Sequence, residues 1–163
     1  MNTHTKPNIT NTLGRLFATA GGAGYSPIAP GTCGTLVAVP LVYFCRTLPT
    51  LGYLLITLVI TLLGIVAADI ADKHWGTHDS GRIVIDEVAG YFVTMAFVDK
   101  GSWPLLWIGF VVFRFFDIVK PPPVRYVDQT LKGGKGVVLD DVAAGIYGLL
   151  VMLVIVYVLM PLL

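Results

Sequence analysis

The chain has 163 residues, of which 55% are hydrophobic and 13% charged, and its mean hydropathy is +0.78. A soluble globular domain carries about 25% charged residues, so the composition excludes a disordered chain, a nucleic-acid binder with a basic face and an ordinary cytosolic enzyme. Cys33 and Cys45 lie in an apolar stretch and predict neither a disulfide framework nor a metal knuckle. We expect a single membrane-embedded domain over residues 1–163, which begins with a polar tail at residues 1–15 and shows no signal peptide.

Five apolar segments follow this tail. Residues 51–68 and 142–163 carry no charge and approach or exceed the ~20 residues needed to span hydrocarbon. Residues 35–48, 88–98 and 103–116 are shorter, and they span only if charged flanking residues enter the edge of the bilayer. The sequence therefore predicts an all-α, polytopic membrane helix bundle with four or five membrane helices and polar cytoplasmic loops.

The distribution of charge predicts the orientation of this bundle. With a cytoplasmic N-terminus, every lysine and arginine except Arg46 and Lys100 lies on the inner side, as the positive-inside rule describes. The same threading places the three long polar segments, residues 21–34, 69–87 and 117–141, on the cytoplasmic face. We therefore expect the chemistry of the protein at that face.

The first polar segment, residues 21–34, contains five glycines and two prolines and is not expected to form a regular helix. Two interpretations remain open. The segment can be a tight loop that leads into the next helix, or its backbone N–H groups can face an anion such as phosphate.

The second polar segment, residues 69–87, holds four aspartates and the only glutamate of the chain. Asp86 and Glu87 are adjacent within an apolar run, where two carboxylates repel and desolvate each other unless a cation is bound. Asp69 and Asp72 lie near a helix end and can simply face water. His74 and His78 have the four-residue spacing of a shared metal site, but the intervening Gly76 favours loop or surface histidines.

Arg114, just before the third polar segment, and Asp117 and Lys120 at its start are spaced by three and share one face of a helix end. Prolines at 121–123 stop that helix. The three charged residues can form an internal salt-bridge cluster. Alternatively, the guanidinium fork and the ammonium group can hold a phosphomonoester, with the carboxylate positioning them.

A second acidic pair, Asp140 and Asp141, lies where the last apolar run begins and mirrors Asp86 and Glu87. Two acidic pairs on two helices can converge on one or two hard cations. Ligands that are all oxygens favour Mg²⁺, with Mn²⁺ as the alternative, over Zn²⁺. Phosphate held by Mg²⁺ beside Lys and Arg is the usual arrangement in phosphoryl chemistry.

Four ordered segments carry a family resemblance: residues 24–32 (GYSPIAPGT), 78–79 with 83–90 (HD, IVIDEVAG), 113–121 (FRFFDIVKP), and 133–136 with 140–145 (GGKG, DDVAAG). Together they resemble the phosphatidylglycerophosphatase A family of membrane lipid phosphatases. Tyr91 stands where Gln is expected, and Pro122 where the family often has Trp. The resemblance implies Mg²⁺-dependent hydrolysis of phosphatidylglycerophosphate to phosphatidylglycerol and inorganic phosphate. It places the enzyme in the bacterial inner membrane as a multi-pass protein with the lipid as partner and no nucleic acid, and it specifies no oligomeric state.

On this interpretation each charged candidate has a role. The predicted metal ligands are Asp79, Asp86, Glu87, Asp140 and Asp141, one of which orients or deprotonates the attacking water. The catalytic set is Asp86, Glu87, Asp140, Asp141, Arg114 and Lys120, in which the two cations grip the terminal phosphate. The predicted substrate-binding residues further include Asp117, which orients the two cations, Arg125, Lys132 and Lys135, which attract the headgroup, and Gly31 and Thr32, in the loop that covers the phosphate.

One hypothesis from another class is a small transporter or assembly subunit that binds a coupling cation through its carboxylate pairs. It predicts acidic residues at the centres of helices and charges balanced across both faces. The sequence instead places the acidic residues at helix ends on one face, which favours the enzyme.

Overall fold

The computed structural model describes residues 9–45, 47–77, 79–98 and 102–162. Within these ranges the chain is helical, with turns between the helices and no strand. The helices are α1 (Ile9–Ala18), α2 (Pro30–Cys45), α3 (Thr50–Trp75), α4 (Ile85–Thr94), α5 (Trp103–Val119), α6 (Val124–Thr130) and α7 (Gly134–Val154). The external charges Arg46 and Lys100, and His78 of the histidine pair, lie outside the described residues. The all-helical prediction is confirmed.

Two helices are long and apolar enough to cross a membrane, judged by length and composition: Thr50–Trp75 and Gly134–Leu162. The second is α7 together with the π and 3-10 turns that continue it. They contain the described parts of the two uncharged segments that the sequence predicts as spans. However, α7 begins at Gly134, so Asp140 and Asp141 lie well inside the helix rather than at its first residues.

Three shorter helices correspond to the remaining apolar segments. α2 begins at Pro30, five residues before the predicted segment, and it accommodates Pro40 in its interior. α4 has 10 residues and α5 has 17, fewer than the ~20 that span hydrocarbon. The number of four or five membrane helices therefore stays a prediction.

The N-terminal segment differs from the polar tail that the sequence suggests, because residues from Ile9 onward form the amphipathic helix α1. Apolar side chains at positions 9, 13, 16 and 17 recur at helical spacing and form one face. Gly14 brings α1 close to α3, where its α-carbon packs against Ile70. After α1, Gly21 and Gly22 adopt positive φ angles of 72° and 106° and turn the chain toward α2.

Helices α4 and α7 pack closely against each other at two glycines. A side chain at Gly90 would meet the carbonyl oxygen of Asp141, and one at Gly145 would meet the carbonyl oxygen of Gly90. Buried hydroxyls hold α4 on its other sides: Tyr91 donates to the carbonyl of Leu106 (2.8 Å), and Tyr53 donates to the carbonyl of Phe92 (3.0 Å). This packing brings the two acidic pairs of the sequence to one place.

Candidate active site

A polar cavity of about 410 Å³ lies between the N-terminus of α2, the loop before α4, the first turn of α4, the end of α5 and α7. The predicted site residues that line it are Gly31, Asp79, Asp86, Glu87, Arg114, Asp117, Lys120, Asp140 and Asp141. Pro30, Gly81, Ile118 and Val137 complete much of the wall. Residues from four separate segments of the sequence thus meet at one cavity.

Three carboxylates form the acidic centre of this cavity. One oxygen from each of Asp86, Glu87 and Asp141 lies within 4.8 Å of the others. Oδ1 of Asp86, Oε2 of Glu87 and Oδ2 of Asp141 are buried, and none accepts a hydrogen bond from the part of the chain that the structure describes. Buried carboxylate oxygens without a partner are energetically costly, and a cation satisfies them. An all-oxygen donor set of this kind fits a hard divalent ion such as Mg²⁺.

The other two predicted metal ligands line the same cavity without joining the three-carboxylate group. Asp79 belongs to the loop before α4 and adopts a positive φ of 59°. Asp140 lies beside Asp141 on α7, and its carboxylate is paired with Lys120.

Arg114 connects the acidic centre to α5. Its guanidinium lies 2.6 Å from Asp117, one turn further along the same helix, and 3.6 Å from Oε1 of Glu87. The side chains of all three residues are largely buried, at 13–17% exposure. The guanidinium therefore partly neutralises the acidic centre and faces the cavity from the side of α5.

Lys120 ends α5 in the left-handed conformation, with φ of 45°. Its ammonium group lies 2.5 Å from Oδ2 of Asp140 and 2.7 Å from Oδ1 of Asp128. Partial burial opposes the charge on Lys120, but the hydrogen bonds to the two carboxylates outweigh it and raise the lysine pKa. The hydrogen bond from Lys120 in turn lowers the pKa of Asp128.

The predicted face of Arg114, Asp117 and Lys120 is therefore divided between two ion pairs. Arg114 pairs with Asp117, whereas the left-handed end of α5 directs Lys120 toward α6 and α7. The salt-bridge interpretation describes this geometry. Since both cations also line the cavity, a phosphate group that enters it meets them directly.

Gly31 closes the cavity from the first turn of α2. A β-carbon at this position would overlap with Oε1 of Glu87 and lie 3.1 Å from a terminal nitrogen of Arg114. The first N–H groups of a helix have no partner inside the helix, so this turn offers donors to an anion.

Comparison with known proteins agrees with this geometry. Residues 16–156 match the family model described as phosphatidylglycerophosphatase A. The chain belongs to the phosphatidylglycerophosphatase A family. Phosphatidylglycerophosphatase A of Escherichia coli is 38% identical over 131 residues, which cover 80% of this chain and 76% of that protein. Phosphatidylglycerophosphatase A of Haemophilus influenzae is 39% identical over 143 residues, which cover 87% and 88% of the two chains.

A third relative carries a different name. A Bacteroides thetaiotaomicron protein, provisionally named a phosphatidylinositol-3-phosphatase, is 39% identical over 147 residues, covering 85% of this chain and 91% of its own. No solved structure matches the chain significantly. Membership of the phosphatidylglycerophosphatase A family identifies the protein as a phosphatase, a phosphoric monoester hydrolase.

Four predicted substrate-binding residues of this phosphatase do not line the cavity. Thr32 is half-buried in the first turn of α2, and Arg125 and Lys132 are exposed on and after α6. Lys135 is also exposed. The assignment of Arg125, Lys132 and Lys135 to the headgroup, and of Thr32 to the loop that covers the phosphate, stays a prediction.

Sequence reasoning missed three supporting aspartates in the phosphatase. Asp72 is only 6% exposed, and its carboxylate accepts the N–H groups of Asp79 (2.8 Å) and Ser80 (3.1 Å) and the Thr77 hydroxyl (3.0 Å). The idea that Asp72 simply faces water is wrong, because this carboxylate holds the loop that carries Asp79. A usable signal was present: Asp72 lies four residues before Gly76, which ends α3 in the left-handed conformation.

The other two supporting aspartates join distant segments. Asp69 accepts the N–H of Gly134 at 2.6 Å and so ties the end of α3 to the start of α7. Asp128 shares Lys120 with Asp140. Neither contact has a local sequence signal, since each joins residues that meet only after the helices pack.

Proposed function

We propose that this protein removes the terminal phosphate of phosphatidylglycerophosphate and releases phosphatidylglycerol and inorganic phosphate. The observation that carries the proposal is a three-carboxylate centre with unpartnered buried oxygens beside two cations, in a member of a lipid phosphatase family. The substrate follows from the names of the Escherichia coli and Haemophilus influenzae relatives. We further propose that the reaction depends on Mg²⁺, with Mn²⁺ as a substitute.

Asp86, Glu87 and Asp141 would hold the metal ion, and Asp79 and Asp140, which line the same cavity, would be the further ligands. When bound, Mg²⁺ supplies positive charge that draws electron density from the phosphoryl group. Its charge would also relieve the repulsion among the three carboxylates.

Arg114 and Lys120 would exchange part of their contact with carboxylates for contact with the substrate phosphate. The guanidinium offers two parallel N–H groups to two phosphoryl oxygens, and the ammonium group supplies a point charge on another side. Asp117 holds the guanidinium in place at 2.6 Å. Charge that develops on the phosphoryl oxygens in the transition state thereby meets fixed cations.

The reaction consists of the attack of a water oxygen on phosphorus and the cleavage of the bond between phosphorus and the glycerol oxygen. A carboxylate of the acidic centre accepts the proton that the attacking water loses, and this proton is then delivered to the leaving glycerol oxygen. The products are phosphatidylglycerol and inorganic phosphate. The carboxylates of this chain thus act as the general base.

We place this reaction at the cytoplasmic face of a bacterial inner membrane, in a single domain with four or five membrane helices. The placement is supported by the charge asymmetry of the sequence and by the two helices with the length and composition of membrane spans.

The test is a phosphate-release assay on detergent-solubilised protein with phosphatidylglycerophosphate, before and after treatment with EDTA. We expect release that stops with EDTA and returns with Mg²⁺. The Asp86→Asn variant should no longer release phosphate, although the protein stays folded in the membrane. Asp69→Asn is the matched control, because its amide oxygen can still accept the Gly134 N–H and its side chain lies outside the cavity.

A substrate panel that includes phosphatidylinositol 3-phosphate tests the lipid headgroup, since one relative carries that name. Faster release from that lipid would overturn the proposed substrate but not the phosphatase chemistry. Phosphate release that continues in the presence of EDTA would overturn the proposed dependence on a metal ion. A protein that releases phosphate from neither lipid would favour the cation-binding transporter or assembly subunit.

A further inference from the structure

A second cavity, of about 530 Å³, lies between α1, α2 and α4 and is lined almost entirely by apolar atoms. Its walls include Leu16 and Phe17 of α1, Val37 and Leu41 of α2, and Ile85 and Val88 of α4. We call it the α1–α2 groove. Its volume lies within the range of about 300–1,000 Å³ that is typical of ligand pockets.

The groove and the polar cavity share the first turn of α4 as a wall. Ile85 and Val88, three residues apart on one face of this turn, line the groove, whereas Asp86 and Glu87 line the polar cavity. A molecule that places its phosphate at the acidic centre therefore has an apolar space on the opposite side of the same helical turn.

Helix α2 also contributes to both cavities. Gly31 lines the polar cavity in the first turn, and Val37 and Leu41 line the groove further along the helix. At 1.5 Å per residue they lie about 9 Å and about 15 Å beyond Gly31 along the helix axis. This separation leaves room for the glycerol and phosphodiester groups that connect the terminal phosphate of the substrate to its acyl chains.

We propose that the α1–α2 groove binds a fatty acyl chain of the phosphomonoester lipid while its phosphate occupies the polar cavity. This inference rests on the proposed function and adds a subsite to it. The apolar hollows between α1 and α3 and around Val111 and Val151 have no lining residue in the first turn of α4, the turn that carries Asp86 and Glu87. We expect a groove that shares a helical turn with Asp86 and Glu87 to raise the rate with a long-chain lipid over that with a short-chain one.

The kinetic test fills the groove with Val37→Trp and compares substrates with dioleoyl and dibutanoyl chains. We expect kcat/KM for the dioleoyl lipid to fall about tenfold, in line with the selectivity of apolar pockets, and that for the dibutanoyl lipid to stay within about twofold. Val111→Trp is the matched control, since it adds the same side chain to another apolar hollow. Equal losses on both substrates, or the same loss in Val111→Trp, would overturn the proposal.

A binding test separates this inference from the proposed function. Phosphatidic acid with a diazirine in its acyl chain is photolysed with the full-length protein in phosphatidylcholine vesicles, and labelled peptides are identified. We expect adducts concentrated in α1 and α2, reduced in Val37→Trp and unchanged in Val111→Trp. Labelling of α5 equal to that of α1 and α2 would overturn the proposal that the acyl chain binds in the groove. If the wild-type protein releases no phosphate, the proposed function is overturned. The labelling pattern then still tests whether the groove binds the acyl chain.

Discussion

The α-carbon of Gly31 packs directly against the carboxylate of Glu87, leaving no space for a side chain between α2 and α4. Arg114 of α5 approaches the same point, because a β-carbon at Gly31 would lie 3.1 Å from its guanidinium. Three helices thus meet at one backbone position beside the acidic centre. The first turn of α2 can close the cavity in this way only because residue 31 is glycine.

Gly31→Ala should therefore displace Glu87 and Arg114 and lower kcat/KM by about 100-fold, the typical cost of misplacing reacting groups by an ångström. The variant is expected to fold, because the clash can be relieved into the cavity. Phosphate release and thermal unfolding in detergent measure the two effects. Gly52→Ala is the control, since its nearest side-chain neighbours are 3.7 Å away. Wild-type turnover in Gly31→Ala would contradict the tight approach.

Lys120 pairs with two carboxylates that we expect to differ in importance. Asp140 is 5% exposed and lines the cavity, whereas the Asp128 side chain is 36% exposed and lies outside it. Asp140→Asn should lower phosphate release by at least about 100-fold, as the loss of a preorganised charged group does. Phosphate release by Asp128→Asn should stay within about threefold of the wild-type rate, because exposed ion pairs contribute little. Equal losses in the two variants would show that Lys120 needs both partners.

The ion pair between Lys120 and Asp128 should make the stability of the protein depend on pH. Lys120 lowers the pKa of Asp128 in the folded protein, so the pair stabilises the fold above the unfolded pKa of about 3.9. This contribution is lost as the pH falls through the lowered pKa. The free energy of unfolding should therefore differ between wild type and Asp128→Asn at pH 7, by less than about 1 kcal/mol. Thermal unfolding of both proteins over a pH series checks this prediction. A difference in stability at about pH 2 that equals the difference at pH 7 would contradict it.

Asp72 is expected to act through the loop that it holds. Asp72→Ala leaves the partly exposed N–H groups of Asp79 and Ser80 without their acceptor, at a cost of about 0.5–1.5 kcal/mol for each hydrogen bond. We expect a lower unfolding temperature and, because Asp79 lines the cavity, weaker Mg²⁺ activation. Asp72→Asn keeps one acceptor oxygen and should recover part of the unfolding temperature and part of the Mg²⁺ activation. A fully stable Asp72→Ala variant would show that the loop is held by its other contacts.

Much of the fold could be predicted because apolar character is a local property of the sequence. The uncharged segment at 51–68 lies in α3, the described part of the segment at 142–163 lies in α7 and the turns that continue it, and the three shorter apolar segments overlap helices as well. α1 was missed because its apolar residues alternate with polar ones and only their helical spacing marks them. The start of α7 was placed too late because Gly134 and Gly136, poor helix formers, are accommodated by close backbone packing.

The composition of the site could be predicted better than its pairings. Unusual charges in an apolar chain mark Asp86, Glu87, Arg114, Lys120, Asp140 and Asp141, and the cavity brings them together. The spacing of three that links Asp117 to Lys120 assumes a helix that continues through residue 120. The left-handed conformation at Lys120 ends that helix and turns the side chain to Asp140, which no spacing rule anticipates.

Gly90 controls the distance between the two acidic helices. A β-carbon there would lie 2.5 Å from the ring of Phe113 and 2.6 Å from the carbonyl oxygen of Asp141. Gly90→Ala should therefore separate α4 from α7 and move Asp86 and Glu87 away from Asp141. We expect a loss of about 1–3 kcal/mol in stability from overpacking and about tenfold weaker Mg²⁺ affinity from the displaced ligands.

Thermal unfolding in detergent and Mg²⁺ titration of phosphate release measure these two effects of Gly90→Ala. Gly64→Ala is the matched control, since it also lies in a packed helix but its nearest neighbour, Ile85, is at an ordinary contact distance of 3.5 Å. Because helix propensity favours alanine over glycine by up to about 1 kcal/mol, the control should be neutral or slightly stabilised. A Gly90→Ala variant that behaves like this control would mean that the spacing of α4 and α7 does not set the geometry of the carboxylates.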